Sequence, residues 1–194
     1  MIHFDIDKTI QAAAYLLKRQ PSRCENYMRL LKLLYIAERT SLAKRAVPIC
    51  GDTPYAMRRG PVFSRTLDLI KGKDPFSEKW EQFIQKCGYN VHLKADPGNL
   101  HLSRADISIL ERVADRFQSC DEWALVRWCH RHLPEYQKNW KNRGTEKCCR
   151  IPLEDVLSEI GRLGDQSRII EELNADLAFK RLFSDHMPAG RKQA

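Results

Sequence analysis

The run from Tyr27 to Ala37 limits what this chain can become more than any other stretch. Tyr27, Met28, Leu30, Leu31, Leu33, Leu34, Tyr35, Ile36 and Ala37 are all apolar. A surface helix carries one apolar stripe, whereas a helix apolar nearly all round is enclosed by protein. The run is also shorter than the roughly 20 residues needed to cross a bilayer, and Arg29 and Lys32 interrupt it. The sequence therefore predicts a mainly α fold, a single compact helical domain around one central buried helix. That helix runs on toward Ala43.

The next segment has different chemistry. Pro48, Gly51 and Pro54 forbid a continuous helix. Gly60 tolerates backbone angles that other residues avoid, and Pro61 suits the first turn of a helix. Val62, Phe63, Leu67 and Ile70 then recur at helical spacing up to Gly72. The expectation is an exposed, structured loop leading into a helix that starts at Pro61.

The rest of the chain reads as further helices. Ile10, Ala13, Ala14 and Leu17 give a first amphipathic helix over residues 7–19, with Asp7 as its cap. Phe76, Trp80, Phe83, Ile84 and Cys87 predict another helix, closed by Gly88. The period changes over residues 89–102. There Val91, Leu93 and Ala95, then Leu100 and Leu102, flank Asp96-Pro97-Gly98-Asn99, which predicts a small β-hairpin. Ser103 and Asp106 have the spacing of a helix-start capping box. A helix over residues 122–133 carries Trp123, Val126 and Cys129 as candidate core residues and stops at Pro134. Residues 1–150 are read as the main domain and 151–186 as a C-terminal helical pair packed on it. Residues 187–194, with Pro, Gly, Arg and Lys, are read as a disordered tail.

A chain of 194 residues with a net charge of +8 favours acidic partners, either nucleic acid or an acidic protein face. The basic stretch 138–150, with Tyr136 and Trp140 among its cations, has three readings, one of them the binding of a partner protein. In the other two, its aromatics anchor a loop to the core, or they stack on bases while the cations track phosphates. The seven cysteines are scattered with no CxxC pair, so they are expected to be free thiols with no metal site. The N-terminus MIHFDIDKTI lacks a basic-then-apolar signal, which predicts a cytoplasmic protein with no membrane partner. Nucleophile elbow, Walker loop, dinucleotide glycine fingerprint and HExxH are all absent, so no catalytic residue and no cofactor is assigned. His130 is read as a structural histidine bonded to a backbone carbonyl or to Tyr35, because a catalytic one needs a positioned partner.

Lys32-Leu33-Leu34-Tyr35, Tyr55-Ala56 and Gly60-Pro61-Val62 together resemble the signature of the Panacea domain, the SocA-like antitoxin family. Leu102-Ser103 and Cys129-His130 near Trp140 extend the resemblance over residues 8–145. The resemblance implies a bacterial, phage- or prophage-borne antitoxin without enzymatic activity. Its partner would be a cognate toxin protein, with a AAA+ protease as a second partner where members act as adaptors. It makes Lys32, Tyr35, His130 and Trp140 structural. Asp52, Tyr55, Arg58 and Arg59 are the expected partner-binding residues, shaped by Gly60 and Pro61, since Tyr and Arg supply much of the energy at interfaces. A nucleic-acid-binding regulator using residues 138–150 is the alternative.

Overall fold

Asn26 starts the central helix. Its side chain accepts a hydrogen bond from the Met28 amide, and helix α2 then runs Tyr27–Arg45. The computed structural model describes residues 3–184. Around α2 lie α1 (Ile6–Lys18), α5 (Arg104–Arg116), α6 (Glu122–His132), α7 (Pro134–Asn142) and α8 (Leu153–Glu159). Leu30, Leu31, Leu33, Leu34 and Ala37 are each at most 1% exposed, as the apolar run predicts. The two cations inside the run have separate fates. Arg29 donates to the Phe117 and Cys120 carbonyls just beyond α5, at 2.8 and 2.7 Å, and pairs with Glu25. It thereby ties the turn that follows α5 to the central helix. Lys32 is 0% exposed and has no such partner among the described residues.

The helix starts obey capping chemistry. Asp5, rather than Asp7, caps α1 through the Lys8 amide at 3.0 Å. Asp7 instead pairs with Lys79. Ser103 and Asp106 form the expected capping box at the start of α5.

Two three-stranded antiparallel sheets replace the single hairpin. The first has the order β1 (Cys24–Asn26), β5 (Asn90–Leu93), β4 (Ile84–Cys87). Its hairpin turns at Gly88-Tyr89, so helix α4 covers only Ser77–Phe83 and residues 94–102 form no strand. Gly88 has a φ of 60°, which suits this two-residue turn. The second sheet has the order β3 (Gly60–Phe63), β2 (Pro54–Met57), β6 (Cys148–Arg150). The segment expected to be an exposed loop is therefore mostly this sheet, and Gly60-Pro61-Val62 is a strand rather than a helix start. Helix α3 begins after it, at Ser64–Ile70. Pro61 lacks a donor, and it sits on the edge strand, where a missing donor is tolerated.

The basic stretch 138–150 falls largely within the end of α7 and in β6. Lys138 pairs with Asp155 at 2.6 Å, and Arg143 lies 3.5 Å over the Trp140 ring. Beyond α8, a 3-10 turn (Leu163–Asp165) leads into α9 (Gln166–Ser184). Arg162 donates to the Ala43 carbonyl near the end of α2 at 2.8 and 3.1 Å. The tail 187–194 lies outside the described residues.

Candidate partner-binding site

The β2–β3 hairpin carries the candidate site. Met57 pairs with Gly60, so Arg58 and Arg59 alone form the turn, and both side chains are exposed. Gly60 has a φ of +103°, a conformation that L side chains rarely adopt. A Cβ there would also come within 3.1 Å of the Lys32 Cε. The glycine thus lets the turn lie directly over the central helix, and Pro61 is buried beside it.

The turn is gripped from below by α6 and α7. Tyr136 donates its hydroxyl proton to the Met57 carbonyl at 3.0 Å. The same oxygen lies 3.0 Å from His130 Nε2. A hydroxyl has one proton to give, so the imidazole Nε2–H must be the donor in that second bond. His130 is thus hydrogen-bonded to Tyr136 and not to Tyr35. Burial, then the nearby Lys32 charge, lowers its pKa, while a hydrogen bond with the Arg58 backbone opposes the shift. Trp140 stacks on Tyr136 from the other side at 6.4 Å. The Tyr35 hydroxyl donates instead to Glu135 at 2.8 Å, a carboxylate that Arg39 also reaches at 2.8 Å.

The other expected contact residues lie elsewhere. Asp52 is only 2% exposed and faces inward. It accepts from the Thr66 amide and hydroxyl at 2.7 and 2.6 Å and from the Arg65 amide at 3.2 Å, anchoring the first turn of α3. Tyr55, half-buried, pairs across to Val62 and Arg150 in the middle of the sheet. Arg58 and Arg59 are thus brought together at the surface, and Asp52 is not among them.

Two aromatic neighbours escape a reading of the sequence alone. Trp123, on the first turn of α6, is 46% exposed and lies 4.9 Å under the Arg59 guanidinium. Its spacing to Val126 and Cys129 looks like a core stripe, and only the exposed side of α6 distinguishes it. Tyr89, in the β4–β5 turn, is 72% exposed and stacks on Tyr27. Between these rings and the arginine turn opens a cleft of about 600 Å³ with Lys32 in its lining.

A family model for antitoxin SocA-like proteins, the Panacea domain, matches residues 30–136, more than half of the 194-residue chain. The chain belongs to the SocA-like antitoxin family. No curated protein and no solved structure matches it. The family segment opens within α2 and closes in the first turn of α7, so it contains Lys32, Tyr35, the whole β2–β3 hairpin, His130 and Tyr136. Trp140 falls just beyond it. No described helix is long and apolar enough to cross a membrane.

Burial lowers the Lys32 pKa from 10.5 to about 8, with the Cys129 thiol opposing the shift and the Arg59 charge adding to it. Burial in turn pushes the Cys129 thiol up to about 12. An unfolded chain holds a lysine proton up to pH about 10.4. Between pH 8 and that point the unfolded state binds more protons than the folded one, so Lys32 makes stability rise with pH across this window. Below pH 8 the burial cost, about 3 kcal/mol, is present in full. Lys32→Met is expected to be more stable at pH 7 and to lose most of that rise. Urea unfolding at stepped pH measures both, and an unchanged slope would show that the ammonium is solvated.

Proposed function

We propose that the protein neutralises a cognate toxin by binding it with the exposed turn Arg58-Arg59 and the adjoining Trp123 face. The observation that carries this reading is the construction of the turn. Two guanidinium groups that have no carboxylate partner among the described residues stand on a hairpin held by Gly60 against α2, by Tyr136 and His130 from below, and by β6 along its edge. A rigid mount lowers the ordering cost of binding, and arginine beside tryptophan is the composition of interface hot spots. Membership of an antitoxin-like family supports a toxin as the partner in general. The basic turn favours an acidic toxin face, which it would occlude.

The test is co-expression with the protein encoded next to it, then pull-down. The native chain is expected to relieve growth arrest and to form a stable complex. Arg58→Glu with Arg59→Glu is expected to weaken that complex by at least about 100-fold, since hot-spot losses reach about 2 kcal/mol or more per residue. The exposed positions leave the melting temperature nearly unchanged. Full neutralisation by the double variant would move the interface elsewhere.

A further inference from the structure

Five cations line the cleft below the turn: Lys32, Arg58, Arg59, Lys71 and Lys147. None of them forms an ion pair among the described residues, although cations elsewhere in the chain pair repeatedly with carboxylates. The single acidic residue of the lining, Glu122, is engaged by the Asn26 side chain at 3.4 Å. Lys32 sets the chemistry. Its ammonium is enclosed and has no hydrogen-bond acceptor among the described residues, and it forms part of the cleft lining. A buried ammonium with no acceptor is costly. One that also feels a neighbouring arginine is more so, and an anion placed between the two relieves both. Like charges gathered around a concavity favour a ligand with more than one negative charge. The exposed rings of Trp123 and Tyr89 on the same rim present flat surfaces on which a planar base can stack.

We propose that this cleft binds a phosphate-bearing ligand of the nucleotide class, its phosphates held between Lys32 and Arg59 and its base against the Trp123–Tyr89 rim. Arg59 then serves as the movable cover. It is exposed and rests on Trp123, and its displacement opens the path to the enclosed ammonium. The volume of about 600 Å³ lies within the usual range of small-ligand sites. This goes beyond toxin binding and does not depend on it.

Calorimetric titration of the purified full chain at low salt tests the assignment, with ADP, pyrophosphate and adenosine as probes. ADP and pyrophosphate are expected to bind, and adenosine to bind at least tenfold more weakly than ADP. Lys32→Met is expected to weaken ADP at least tenfold. Lys71→Glu with Lys147→Glu changes two exposed side chains and is expected to do the same without burdening the fold. The groups facing Lys32 are Arg59 from the turn and Cys129 and His130 from α6. Because the Lys32 pKa is near 8, ADP binding at a slightly higher pH should draw in a proton, so the measured heat should vary with the ionisation enthalpy of the buffer. A merely structural lysine gives no such dependence. Absence of heat from ADP and pyrophosphate at millimolar concentration overturns the proposal. So does a loss under twofold in both variants. A hexaglutamate peptide binding more tightly than ADP would make the cleft a carboxylate dock and overturn the phosphate assignment. None of these results bears on toxin rescue, which is read from growth.

Discussion

Replacing Glu135 by alanine is expected to destabilise the protein by about 3 kcal/mol, lowering its melting temperature by roughly 10 °C in a chain of this size. Glu135 is 0% exposed and accepts from the Tyr35 hydroxyl and the Arg39 guanidinium, each at 2.8 Å. Its removal strands a buried hydroxyl and a partly buried cation together. The loss of an acidic residue from the first turn of α7 adds to this, because that position faces the positive end of the helix dipole. The Tyr35 pKa is raised well above its ordinary value by burial and then by the Glu135 charge, so the proton stays on the phenol and the direction of the bond is fixed. A double-mutant cycle isolates the contact. Tyr35→Phe should cost about 1 kcal/mol alone and nearly nothing once Glu135 is gone. Equal costs in both backgrounds would show that the two side chains act separately.

The second large effect belongs to Glu38. Its carboxylate accepts three consecutive backbone amides, from Ile49, Cys50 and Gly51, at 2.6, 2.8 and 2.8 Å. Burial raises its pKa, and the three amide bonds pull it back down. Glu38→Ala frees three buried donors at once. At about 1–3 kcal/mol for each stranded group, less what the loop recovers by relaxing toward water, a loss of about 4 kcal/mol is expected. Urea denaturation measures it. Glu38→Gln, which keeps one good acceptor, should fall between the native protein and the alanine variant. Hydrogen exchange should locate the damage first in residues 48–52. A uniform loss of protection across the chain would instead make Glu38 part of the global core.

Legibility in the sequence varies by element. Helix α2 stands out because burial on all sides leaves no polar stripe, and that pattern is local. The capping box of α5 is equally local. The second sheet is not. Gly60-Pro61-Val62 has the composition of a helix start, and Val62, Phe63, Leu67 and Ile70 keep helical spacing across the true boundary at Ser64. Pairing with β2 overrides that preference, and β2 in turn pairs with a strand roughly ninety residues later. Periodicity cannot register a partner so distant. The hairpin is misplaced for a related reason. Phe83, Ile84 and Cys87 continue a helical period, yet β1, more than fifty residues earlier, supplies the ladder that holds residues 90–93 as a strand. In the site, Arg58 and Arg59 are legible as a basic interruption before glycine. Asp52 is not, because a loop carboxylate and an inward anchor for a helix start look alike in sequence. Trp123 is hidden by fitting a core stripe too well.

Strand β6 lies outside the segment that identifies the family, and so does α1. Yet β6 completes the ladder on which the arginine turn is mounted, and Ile10, Leu16 and Leu17 of α1 are sealed against the rest. The unit that heredity marks and the unit that folds therefore have different edges. A recombination event that moved only the marked segment into another gene would deliver the arginine turn without its brace. A transfer that keeps the turn supported must carry the flanks as well.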